Sequence, residues 1–207
     1  MSRAPHAISP ADTALLVVDM QNDFLHPAGA YARGGAIAPE MAALPERLAP
    51  LLDMARAKGI YTLATQFTLV PDAQGAPMIS AHMRQLRPFL GQGDFLAGSF
   101  GHQPLAALGP FHTLIEKVAF SAFYQSRLDF VLQRAGIRHL MVCGIVTNGG
   151  VASTAREAHV RDFAVTVIGD GCAAPRPEIH DAALADLANV VRLRSLDDVL
   201  NAMRDVP

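Results

Sequence analysis

Asp19, Lys117 and the glycine-rich corner between Gly144 and Gly150 are the features of this sequence whose types and spacing could do chemistry. Asp19 closes the apolar run LLVV, and Lys117 sits near the end of another in LIEKVAF. Either charge is expensive to bury without compensation. If the two met, each would offset the other, and Asp19 would stay charged and able to accept a proton. Taken singly, each reads equally well as a solvated charge at a strand end. The corner lies in HLMVCGIVTNGGVASTAREA, residues 139–158. Its apolar start, His139 to Cys143, reads as a buried parallel strand. The run breaks at Gly144, passes through Thr147, Asn148, Gly149 and Gly150, and resumes at Val151 as a helix start. Such an elbow lets backbone come close to a ligand and aims N–H groups at a bound anion. Ligands of open α/β sheets sit at the carboxyl ends of strands, so the functional site is expected here.

Positioning these groups requires strands. Thr13 to Val18 reads as the first, followed by a turn-rich loop from Met20 to Gly35 that contains Asp23 and Phe24. Pro39 to Lys58 carries helical spacing of apolar residues and stops at Gly59. Further strands are expected over Ile60–Ala64, Thr113–Val118, His139–Cys143, Ala164–Ile168 and Val190–Leu193. Helices are expected over Leu128–Ala135, Val151–Arg161, Pro177–Ala188 and Leu196–Met203, the last capped by Ser195. This alternation implies right-handed crossovers and a parallel sheet covered by helices on both faces. Thr65 to Pro110 is broken by prolines and glycines and far exceeds the usual connection of about 4–6 residues. It reads as a partly helical excursion over the site.

The composition narrows the class. The 207 residues fit one domain, 1–207, and 51% hydrophobic against 17% charged residues favours a compact fold. A net charge of −2 without a lysine- or arginine-rich run argues against nucleic acid or an anionic membrane as partner. No apolar stretch spans a bilayer, and MSRAPHAISPADT lacks a signal-peptide core. Cys143 and Cys172 both fall at or just past buried strands, so a reduced, cytoplasmic setting is expected. The apolar excess suggests a homo-oligomer, a dimer or tetramer.

Three stretches carry a resemblance: VVDMQNDF at 17–24, EKVAFSAF at 116–123 and CGIVTNGGVASTAREA at 143–158. In this order they resemble the isochorismatase-like (cysteine hydrolase) superfamily, over about Thr13 to Leu200. The resemblance implies a doubly wound, Rossmann-like α/β fold with a six-strand parallel sheet in the order 3-2-1-4-5-6. It also implies a site built from Asp, Lys and, in most members, a nucleophilic Cys. Asp19 and Lys117 match the first two positions, whereas the nucleophile position is Gly150 here. The isochorismatases proper are similar in having glycine there. In them Asp protonates an enol ether and water attacks, which needs a proton donor and no covalent nucleophile. They read Y-A-H before that glycine, where this chain has Val146-Thr147-Asn148, a sequence more like the amidohydrolase branch. The resemblance further implies a cis peptide near Ile145–Val146 and an oxygen-binding site from the N–H groups of Val146 and Gly150. Nicotinamidase-like members carry metal ligands after the second strand; here the stretch is Thr65-Gln66-Phe67-Thr68, and no metal or cofactor is expected.

Besides Asp19, Lys117 and Gly150, the elbow residues Val146, Thr147, Asn148 and Gly149 are expected to bind substrate. Gln66 could hydrogen-bond it, and Phe24, Phe120 and Tyr124 could wall the pocket. Arg84 and Arg87 could hold a substrate carboxylate or form a solvated helix face. His82 and His102 could line the pocket or pack in loops. Cys143 and Cys172 read as structural. The expected function is metal-free hydrolysis of a small metabolite at a vinyl-ether or C–N bond, with Asp19 shuttling a proton and water attacking. A catalytically silent small-molecule binding protein of the same descent is the alternative.

Overall fold

The structure, a computed structural model, describes residues 8–206; His6 and the rest of the leading segment fall outside. Six parallel strands form one sheet: β1 (Thr13–Val18), β2 (Tyr61–Phe67), β3 (Thr113–Lys117), β4 (His139–Ile145), β5 (Ala164–Ala173) and β6 (Arg192–Arg194). Their order is β3-β2-β1-β4-β5-β6, as expected. The central strands β1 and β4 are buried throughout, which is why their sequences run apolar without alternation.

Nine α-helices are described: α1 (Asn22–Leu25), α2 (Ala30–Arg33), α3 (Pro39–Ala42), α4 (Leu44–Ala57), α5 (Ala81–Leu86), α6 (Leu128–Arg134), α7 (Ala152–Val160), α8 (Pro177–Leu187) and α9 (Leu196–Arg204), and a π-helical turn spans Thr147–Val151. The chain winds outward from β1 to β3, returns to β4 and winds the other way. With right-handed crossovers, this reversal sends helices to both faces. Accordingly α4 packs with α9, and α7 packs with α8. The switch point lies between β1 and β4, and their carboxyl ends carry Asp19 and the glycine corner.

Several boundaries differ from expectation for local reasons. The single helix expected over 39–58 breaks at Ala43 because Pro45, in the first turn of α4, has no N–H to continue a preceding helix. The loop after Asp19 contains two four-residue helices instead of turns alone. β2 runs on to Phe67 because the Gln21 side chain binds the Phe67 N–H and carbonyl and Phe67 pairs with Lys117 on β3. β5 continues to Ala173 past an irregularity opposite Val142 and Gly144, so Cys172 lies within it. The excursion contains α5, capped by Ser80, and a short 3-10 turn at Ala106–Leu108. It is tied down where Gln103, Gly101 and Met20 exchange backbone hydrogen bonds with Asn22, Asp23 and Leu105.

Candidate active site

Asp19 follows β1 in the left-handed region, with φ of 55°. That turn aims its carboxylate across the ends of the neighbouring strands. Oδ2 accepts from Lys117 Nζ at 2.7 Å, and both side chains are buried. Oδ1 accepts from the Thr65 hydroxyl at 2.5 Å, whose oxygen in turn accepts the Asp19 N–H at 2.8 Å. The expected meeting of the two charges therefore occurs. Lys117 also donates to the carbonyls of Ala119 and Phe120 at 2.9 and 3.3 Å. An ammonium has three N–H donors, so none is left for a ligand. Its charge rests 5.4 Å from the Phe67 ring centre.

The corner lies against this pair. A β-carbon built on Gly150 would stand 3.1 Å from Asp19 Oδ2, 3.1 Å from the Ile145 carbonyl and 3.0 Å from Val18 Cγ1. Gly149 lies beneath the Phe120 ring, and the Ile145–Val146 peptide is cis. Gly144, with φ of 115°, brings β4 so close to β1 that a β-carbon would overlap the Val18 carbonyl. The Val146 carbonyl accepts the N–H groups of Gly149 and Val151, which tightens the elbow before α7.

The remaining expected residues divide. Phe24 is buried in a cluster with Tyr31, Phe67 and Phe95, two rings away from Lys117. Gln66 is buried, and its amide donates to the His102 carbonyl at 3.0 Å. His102 in turn meets Thr68, and burial lowers its pKa, so this imidazole anchors a loop as a neutral group. Thr147 spends its hydroxyl on His180 of α8 at 2.8 Å. Asn148 is exposed and lines a hollow of about 390 Å³ with Ala152, Arg156 and Glu178, between α7 and α8. Neither of these side chains reaches the Asp19 carboxylate, so whatever they contribute at the corner comes from backbone. Tyr124 is 53% exposed and Phe120 59%; Phe120 covers the elbow, whereas Tyr124 stands out on the surface.

The isochorismatase domain family matches residues 13–198, which span β1 through the start of α9 and include every residue of this site. The chain belongs to the isochorismatase family. It is 30% identical over 196 residues to the ureidoacrylate amidohydrolase RutB of Caulobacter vibrioides, covering 88% of this chain and 87% of the relative. It is 32% identical over 185 residues to an Arabidopsis thaliana protein described as a probable inactive nicotinamidase, covering 86% and 89%. The crystal structure of a cysteine hydrolase from Pseudomonas syringae superposes with a TM-score of 0.83 over all of both chains, at 24% identity. The fold is thus that of an isochorismatase-family hydrolase.

The two cysteines of this family member are poorly suited to attack a substrate. Both are fully buried; burial pushes the Cys143 thiol well above its usual range and the Cys172 thiol up to about 12, so both stay protonated. Among the described residues no group of three His, Cys, Asp or Glu side chains is placed to hold a metal ion, and no helix is long and apolar enough to cross a membrane. Thr65 is the site residue that sequence reasoning missed. Its signal was the parallel register: Val17 pairs with Ala64, so Thr65 falls opposite Val18 and next to Asp19.

Proposed function

We propose that this isochorismatase-family chain hydrolyses a C–N bond of a small amide or ureide without metal, cofactor or covalent intermediate. One observation carries the reading. The Asp19 carboxylate, fixed by Lys117 at 2.7 Å, is 3.1 Å from where a side chain on residue 150 would begin. A water held beside Gly150, farther out in the direction a side chain there would project, lies within reach of Asp19, which takes its proton as the oxygen attacks the carbonyl carbon. The negative charge that develops on the carbonyl oxygen is held by the N–H groups of Val146 and Gly150. Asp19 then passes the proton to the departing nitrogen. Lys117, with all three N–H groups engaged, keeps the carboxylate in place and does not touch substrate. Similarity to a ureidoacrylate amidohydrolase favours C–N over vinyl-ether cleavage.

A second reading, a silent binding protein, draws support from the glycine at 150 and from similarity to a relative described as inactive. Turnover by the parent separates the two, and Gly150→Cys tests the arrangement that both share. A thiol introduced there begins at contact distance from Asp19, and its neighbours need yield only a few tenths of an ångström. The variant is expected to gain amidase activity and to show a covalent acyl adduct by intact-protein mass spectrometry, whereas the parent shows none during turnover. A folded Gly150→Cys protein that binds amides yet forms no adduct and releases no product would refute the arrangement.

A further inference from the structure

At the end of the sheet opposite Asp19, a cleft of about 350 Å³ opens at the amino ends of β4, β5 and β6. The seven residues of β4 separate the two ends by about 20 Å, so this cleft is no part of the glycine corner. Phe163, Val165, Val190 and Val191 give it an apolar lining. Arg138, just before β4, and Arg192, in β6, line it from either side of β5, because β4 pairs from His139 with Ala164 and β6 from Arg192 with Thr166. His159, in the last turn of α7, and Asp162, just past it, complete the charged lining. The guanidiniums set this place apart. Among the described residues, every arginine other than Arg138, Arg176 and Arg192 spends its side chain on a carboxylate, a carbonyl, a ring or another polar group. Arg87, for example, donates to the Tyr31 hydroxyl and Arg84 to the Pro77 carbonyl. Two of those three exceptions line this one cleft. Asp162, the one carboxylate among the described residues that line it, forms an ion pair with neither. The helix ends nearby offer an anion little repulsion, since their carbonyls are taken: Ala158 accepts from Arg161 and Phe163, and Leu187 from Val190 and Val191.

We infer that this cleft is a second ligand site, built for the phosphate monoester of a small organic molecule. Two planar forks that approach from opposite sides of β5 need a group that presents acceptors in two directions. A tetrahedral phosphate does so with three oxygens and up to two charges, whereas a planar carboxylate matches one fork along one edge. The apolar lining takes the carbon body, and the volume falls within the range of ordinary small-molecule sites, about 300–1,000 Å³. Nothing in this assignment depends on what the Asp19 corner does.

Matched probes test it. Phenyl phosphate and phenyl sulfate share a body and a tetrahedral head, and at about pH 8 they differ by one negative charge. Calorimetry in a buffer free of phosphate and sulfate is expected to show phenyl phosphate binding about tenfold tighter than phenyl sulfate or inorganic phosphate. Arg138→Gln and Arg192→Gln should each weaken it about tenfold, while Arg176→Gln, the third unengaged arginine but outside the cleft, should leave it unchanged. Asp162→Asn removes the opposing charge and keeps a residue that tolerates the φ of 65° there, so it should tighten binding severalfold. That gain cannot come from a damaged fold. No binding of phenyl phosphate at about millimolar concentration, equal binding of the sulfate ester, or full affinity in either cleft-arginine variant would each overturn the inference. So would an equal loss in Arg176→Gln, or an Asp162→Asn protein that binds no tighter than the parent.

Discussion

Lys117→Met should lower the folding free energy by about 3–5 kcal/mol, and adding Asp19→Asn to it should recover most of that loss. The reason is burial. The ammonium and carboxylate are almost wholly withdrawn from water and meet at 2.7 Å, so removing one leaves the other charged in a medium that cannot solvate it. Removing both charges leaves a neutral amide at position 19, with the Thr65 hydroxyl as partner, and a thioether among Phe67 and the strand ends. The Ala119 and Phe120 carbonyls still lose their donor, so the recovery falls short of complete. Urea unfolding of the four proteins in the cycle gives the coupling directly. Additive losses would mean that the pair does not interact in solution.

Gly144→Ala is expected to be comparably severe, about 4 kcal/mol or more, for a reason unrelated to charge. Two effects add. The backbone there has a φ of 115°, which alanine adopts only with strain, and the new methyl would overlap the Val18 carbonyl across the β1–β4 pairing. The atoms it would meet are backbone, so no side chain can swing away to relieve the overlap. Because β1 and β4 form the switch point, the damage should spread to Asp19 and the corner. Thermal unfolding and turnover should fall together. A Gly144→Ala protein with an unchanged melting temperature would contradict the close approach of the two strands.

The sheet is legible in the sequence because its strands are short apolar runs separated by helical spacing, and the reversal between β3 and β4 follows from the family resemblance. Boundaries are less legible where polar residues continue a strand. Thr65 and Gln66 read in sequence as the start of the excursion, yet they are held in β2 by pairing with β3 and by the Gln21 side chain. At the site, Asp19 and Lys117 can be singled out because a charge inside an apolar run demands a partner. Thr65 cannot, since a strand threonine is ordinary until the register sets it beside Asp19. Thr147 and Asn148 read as part of the pocket by adjacency alone, and the tight turn of the elbow sends their side chains toward α8. Arg84 and Arg87 form one pair by spacing; only tertiary contact with Tyr31, far earlier in the chain, distinguishes them.

If a carboxylate and an ammonium, closed upon a backbone corner, still move a proton where no thiol stands, the parent protein must turn over substrate. Product release from a panel of short carboxamides and ureides, measured side by side for the parent protein and a folded Asp19→Asn variant, tests it most directly. The parent is expected to hydrolyse at least one of them, and Asp19→Asn to do so about 100- to 10,000-fold more slowly, with its circular dichroism unchanged. A parent protein that binds these molecules and never releases product, or an Asp19→Asn variant as fast as the parent, would contradict it.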